Sequence, residues 1–200
     1  MKKFIALILS LCMCFTLGAT ALAADIESDG GSGNTPVYLS STEDGSIGGS
    51  PAATAMSVTI PTSFPMAMSQ NGDVTTADNC RITNNSYGAV RVKSVTITAA
   101  NGWKLTAFGN KSTLAKEKVD SNKFGFAIKL GNGTQVKTDT SSATSKVLIA
   151  APMTGCYMSG VGDTTANFIN IQYAAIVTPL SQAVTNANIA DVVFVVEWDI

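Results

Sequence analysis

Any chemistry in this 200-residue chain has to be done without histidine, because it contains none. That removes the commonest general base at neutral pH, the usual serine and cysteine triads, and the most frequent zinc ligand. Cys156 lies in a Gly-, Ser- and Asp-rich stretch from Pro152 to Thr165. No base stands near it in any known thiol-enzyme spacing, so a disulfide or an inert thiol is the simpler reading. Paired carboxylates can cleave glycosides, and Glu117 with Asp120, and Glu197 with Asp199, are the candidate pairs. Both pairs sit in polar contexts where charge also serves simply to keep a surface solvated. Asn71, Asp73, Asp78 and Asn79 gather oxygen ligands of the kind calcium takes. The same residues are those that turns prefer, and no EF-hand spacing is present. The expectation is a chain that is not an enzyme, with no catalytic residue, metal or cofactor assigned.

Composition narrows the partners further. The chain is 46% hydrophobic and only 14% charged, which separates it from disordered and highly charged proteins. Its formal charge is −1, and its only arginines are Arg81 and Arg91. Without a basic patch there is nothing to neutralise phosphates, and nucleic acid is not an expected partner.

The N-terminus reads as an export signal. Lys2 and Lys3 make a short basic region, Phe4 to Leu17 is apolar, and Ala21-Leu22-Ala23 supplies the small residues a signal peptidase needs. The apolar run is short for a membrane-spanning helix, so residues 1–23 are expected to be cleaved, leaving no membrane segment and a secreted chain, extracellular or associated with a cell wall. Neither a Leu-Pro-x-Thr-Gly sorting signal nor an apolar tail follows the last strand-like stretch, and any attachment to a surface is expected to be non-covalent.

Of the four cysteines, Cys12 and Cys14 fall in the export signal. Cys80 and Cys156 remain, and in an exported protein two cysteines allow one disulfide. Such a bond would close a loop of about 76 residues and stabilise the fold by roughly 4 kcal/mol on the chain-entropy model. Two buried thiols are the alternative, and the Cα separation decides between them.

Residues 24–54 are linker-like, rich in Gly, Ser and acidic residues, with one apolar island, Pro36-Val37-Tyr38-Leu39-Ser40. The island reads as a short strand, either on its own domain or added to the sheet edge of a neighbouring molecule. Residues 55–200 carry period-2 patterning throughout. Met56, Val58 and Ile60 alternate with polar residues until Pro61, which confines that strand to an edge. Phe64, Met66 and Met68 resume the alternation, and Asn71-Gly72 suits a hairpin turn. Cys80 to Thr83 is a further strand. Val90 and Val92 occupy even positions whereas Val95 and Ile97 occupy odd ones, so a β-bulge is predicted near Lys93-Ser94.

Asn101-Gly102 turns the chain into Trp103-Lys104-Leu105. Lys111 to Asp120 predicts at most a single helical turn or a charged loop. Phe124, Phe126, Ile128 and Leu130 alternate with Lys123, Gly125, Ala127 and Lys129 as a half-buried strand. Val147 to Ile149 is a short apolar run. Asn167 to Thr178 has the length of a central strand, and Val192, Phe194, Val196, Trp198 and Ile200 share one face of a closing strand within the core pattern. Roughly seven to nine strands with almost no helix predict an all-β fold. An antiparallel β-sandwich, Greek-key or immunoglobulin-like, is the first choice, and a barrel the second.

Trp103-Lys104-Leu105 after an Asn-Gly turn, and Trp198-Asp199-Ile200 at the end of an apolar strand, resemble the paired Trp-x-Leu motifs of WxL-type surface domains of Gram-positive bacteria, with Ile200 in a leucine position. The chain is also similar to exported β-proteins of Firmicutes. The resemblance implies an extracellular β-domain that associates non-covalently with the cell wall, with Trp103, Leu105, Trp198 and Ile200 at the motif positions. Read from the residues alone, core packing against the opposite sheet is the simpler account of both tryptophans. The leading expectation is thus a non-enzymatic surface module whose partner is a cell-wall polymer or another surface protein. Two alternatives stand beside it. One is a structural subunit of a fibre or biofilm matrix, assembling by strand exchange through residues 36–40. The other is a carbohydrate-binding module presenting Tyr87, Tyr157 or Trp103 as an aromatic platform.

Overall fold

A computed structural model describes residues 55–139 and 143–200. The export signal expected at 1–23, the linker-like segment 24–54 and the island Pro36 to Ser40 lie outside the described residues. The strands are β1 (Val58–Thr59), β2 (Met66–Met68), β3 (Val74–Thr76), β4 (Arg81–Asn84), β5 (Val90–Ala99) and β6 (Lys104–Leu105). After one helical turn, α1 (Lys111–Leu114), come β7 (Lys123–Leu130), β8 (Val136–Lys137), β9 (Ser145–Ile149), β10 (Tyr157–Met158), β11 (Phe168–Val177) and β12 (Ala190–Trp198). The twelve strands among the described residues exceed the expected number because half of them are only two or three residues long. Short pairings of this kind leave little alternation in a sequence to find.

The larger sheet runs β1-β4-β11-β7-β6, with β8 also on β7. Its pairs are antiparallel except β6 with β7, which is parallel. The second sheet is centred on β5, with β12 along one side and β10 and β9 along the other. Ile82, Leu105, Phe124, Phe126, Ile128 and Ile171 from the first sheet share one core with Val90, Val92, Val95, Ile97 and Met158 from the second. The molecule is therefore all-β and sandwich-like. A small β2–β3 hairpin packs beside β11, where Tyr173 Oη donates to the Pro65 carbonyl (2.6 Å) and the Thr76 hydroxyl donates to the Tyr173 carbonyl (3.0 Å).

The bulge in β5 lies where the odd-even switch requires it. Val195 of β12 opposes Ser94 while Val196 opposes Val92, leaving Lys93 as the extra residue. That residue lets Val90, Val92, Val95 and Ile97 all face inward, each at most 1% exposed. The helical turn also matches its expectation: Asn110 caps it, its side-chain oxygen accepting from the Ser112 amide (3.0 Å).

Two expectations are corrected. β7 is not half-buried, because Ala127 is fully buried on the face opposite Phe126 and Ile128. There the chain after β6 crosses the sheet, and a Cβ on Gly125 would lie 2.8 Å from the Phe108 Cα. Small residues at 125 and 127 leave room for that crossing. Thr138 fastens it, its hydroxyl donating to the Thr106 carbonyl (2.6 Å) and accepting from the Phe126 amide (3.0 Å). Second, Ile200 does not continue the core face of β12. It lies past the last strand residue and is fully exposed.

Candidate functional site

The residues singled out from the sequence do not converge. β12 pairs with β5 so that Trp198 opposes Val90, at the start of β5. Trp103 follows the other end of β5, its amide donating to the Ala100 carbonyl (3.0 Å). Ten residues of strand separate the two ends, so the tryptophans lie about 30 Å apart at roughly 3.4 Å per residue. Trp103 is half-buried edge-on against Phe124, with ring centroids 6.2 Å apart. Trp198 is half-buried over Gly88, where an added Cβ would come within 3.0 Å of the indole. Leu105 is completely buried, and Ile200 is free of the core. Each tryptophan packs against its own end of the sandwich.

Cys80 precedes β4 in the first sheet and Cys156 precedes β10 in the second. Both are buried, and both are free thiols in this structure in place of the bridge considered above. Burial pushes the Cys156 thiol up from its ordinary value, opposing formation of the nucleophilic thiolate.

The acidic pairs are similarly occupied. Glu117 Oε2 is 3.0 Å from Lys123 Nζ, and Asp120 Oδ1 accepts from the Ser181 amide (2.8 Å). Lys111 Nζ reaches Asp73 and the Asn71 carbonyl, so that turn already holds a cation of its own. Among the described residues no three His, Cys, Asp or Glu side chains cluster as a metal site, and no helix is long and apolar enough to cross a membrane. An open groove of about 570 Å³ lies between Ile60-Pro61 and Asn79-Arg81, where β1 leaves β4 after two residues of pairing. Its lining has no acid-base pair.

What the strands do bring together is a row across the outer face of the β5 sheet. Tyr157 of β10 opposes Arg91 of β5, and Arg91 in turn opposes Glu197 of β12. Arg91 Nε is 3.0 Å from Glu197 Oε1, and its Nη1 is 3.1 Å from Asp199 Oδ1. Lys93, the bulge residue, places Nζ 3.0 Å from Glu197 Oε2. Hydrogen bonds from Lys93 and then Arg91 hold the Glu197 carboxyl below the usual carboxylate range, and its bond to Glu197 raises the Arg91 guanidinium. Tyr157 is 48% exposed beside this network, and Tyr87, in the turn ahead of β5, is 85% exposed. The result is an aromatic ring next to charged groups of both signs held in fixed positions, an arrangement able to stack on a sugar face and hydrogen-bond its hydroxyls.

No local pattern signals that Arg91 and Lys93 meet Glu197 and Asp199, which are about a hundred positions further on. Nor does one single out Asn84, which is fully buried. The Asn84 amide nitrogen donates to the carbonyls of Gly88 (2.9 Å) and Ser159 (2.8 Å), and its oxygen accepts from the Ser86 amide (2.9 Å). It thereby fixes the turn carrying Tyr87 and the segment after Tyr157. Fold and surface define an all-β, sandwich-like module. No family model, curated protein or solved structure matches the chain.

Proposed function

We propose that this chain is a secreted, non-enzymatic cell-surface module that associates non-covalently with a cell-wall polymer, the Tyr157-Arg91-Glu197 face being its binding surface. The observation that carries the reading is the order of that face. Ion pairs between β5 and β12 hold its charged side chains in place beside Tyr157 of β10, so little conformational freedom is lost when a polymer docks. Mixed charge suits a wall polymer carrying hydroxyls with either acidic or amino groups. The export signal and the lack of histidine agree with an extracellular, non-catalytic role. On this reading Trp103 and Trp198 anchor the two ends of the sandwich, and contact with polymer falls to the tyrosines.

Co-sedimentation of the exported chain with isolated cell wall tests this. The wild type should be retained, and Tyr87→Ala with Tyr157→Ala should lower retention about tenfold, the effect of losing roughly 1.4 kcal/mol of binding, with an unchanged melting temperature. Absence of wild-type retention would overturn the reading. Equal retention of the variant would remove this face from it.

A further inference from the structure

Among the described residues the second sheet ends at β12, and we infer that it is extended there by Pro36 to Ser40 of a second copy of this chain. Along β5 the inward residues Val90, Val92, Val95 and Ile97 are sealed, whereas their neighbours Val192, Phe194, Val196 and Trp198 on β12 all remain half-exposed. Phe64 reaches across to Phe194, with ring centroids 6.2 Å apart, and still leaves it half-exposed. On the outer face Val193 is 53% and Val195 43% exposed.

Among the described residues β12 pairs with β5 alone, and it is the longest strand with an open edge. Natural edges are shielded by lysine, proline, bulges or shortness. β1 is two residues long with Pro61 shortly after it, and β9 has Lys146. The Val-Val-Phe-Val-Val run of β12 carries no lysine or proline and is not short, and the extra residue of the bulge beside it lies on β5.

Charge decides between occupants. Two β12 strands paired about a two-fold axis at Phe194 would set Asp191 opposite Glu197, a like-charge pair across the strands. The stretch from Gly31 to Ser41 has no charge at all. Within it Val37 and Leu39 alternate with Tyr38, so an added strand turns the two aliphatic residues toward the half-open core and Tyr38 toward Val193 and Val195. Five residues span about 17 Å, roughly half of β12. An addition of that size is a small interface, and the assembly is correspondingly concentration-dependent. Each copy offers one edge and one arm, so the contact is heterologous and propagates as a chain or closes as a ring.

The test mixes two preparations of the exported chain, one carrying Tyr38→Cys and the other Val193→Cys or Val195→Cys. Residues opposed on neighbouring strands lie within disulfide reach, so mild oxidation should yield a covalent heterodimer. Sedimentation of the wild type should show oligomers that grow with concentration. Both Val37→Asp with Leu39→Asp, in the arm, and Val193→Lys with Val195→Lys, on the edge, should return it to monomer. The inference fails if the wild type is monomeric throughout, if the arm variant assembles like the wild type, or if no heterodimer forms. Wall retention is measured separately, so either proposal can fail without the other.

Discussion

Asn84 shows at the scale of one residue how a polar group can hold the two sheets together. Burying an amide is unfavourable unless its donors and acceptor are all engaged. Here both N–H groups and the oxygen have partners, drawn from the turn before β5 and from the segment after β10. Asn84→Asp keeps the shape and removes both donors, leaving the Gly88 and Ser159 carbonyls facing an oxygen. At about 1–3 kcal/mol for each of the two orphaned buried groups, a loss of roughly 2–6 kcal/mol is expected. Thermal denaturation should show it as a drop of about 10 °C for a domain of this size. The penalty should shrink at low pH, where a protonated carboxyl recovers one donor, and a variant as stable as the wild type at neutral pH would show that these bonds do not couple the sheets. Gly88 is the companion constraint, since any side chain there presses on Trp198.

At the scale of the element, β5 decides most of the architecture, because among the described residues it is the one strand of its sheet that pairs on both sides. Its bulge residue Lys93 does two jobs. It keeps Val90 and Val92 on the same side as Val95 and Ile97, and it presents an ammonium group to Glu197. Deleting Lys93 shifts the register by one and turns either pair of aliphatic residues outward. Two buried valines are worth about 1.5–3 kcal/mol each, a large part of the stability of a small domain. The deletion is expected to abolish cooperative unfolding followed by tryptophan fluorescence, whereas Lys93→Ala, which keeps the count, should melt within a few degrees of the wild type. A folded deletion variant would mean that the bulge can migrate along the strand.

For the molecule as a whole, the exposed carboxylates set the acid limit. Lys93 and Arg91 lower Glu197, Lys146 lowers Asp139, Thr165 lowers Asp163 and Ser181 lowers Asp120. A carboxyl lowered on folding contributes stability that is complete above its unfolded value, near 4, and is lost as pH falls through the folded value. The melting temperature should therefore be level from about pH 7 to 5 and decline below about 4. Glu197→Gln should flatten part of that decline. Added salt should weaken the Glu197 and Asp139 contributions, which are ion pairs, more than those of Asp163 and Asp120, which rest on hydrogen bonds from Thr165 and Ser181. A profile unchanged in the Glu197 variant would place the acid limit elsewhere.

The sequence by itself determined the all-β class, the bulge, the Asn-Gly turns at Gly72 and Gly102 and the single helical turn. Each of these is local: side-chain period, chain parity and positive φ are readable within a few residues. Only the tertiary structure decided which strands are neighbours, and everything dependent on that was beyond a reading of the chain. It separated the two tryptophans to opposite ends of β5, buried the second face of β7 beneath the crossing chain and left Ile200 outside the core. It also set Tyr157, Arg91 and Glu197 side by side and, among the described residues, paired β12 along one edge alone. Strand order is fixed by the fit of whole faces against one another. In a sandwich that fit is made between segments up to about a hundred residues apart, as for Arg91 and Glu197, and no local pattern encodes it.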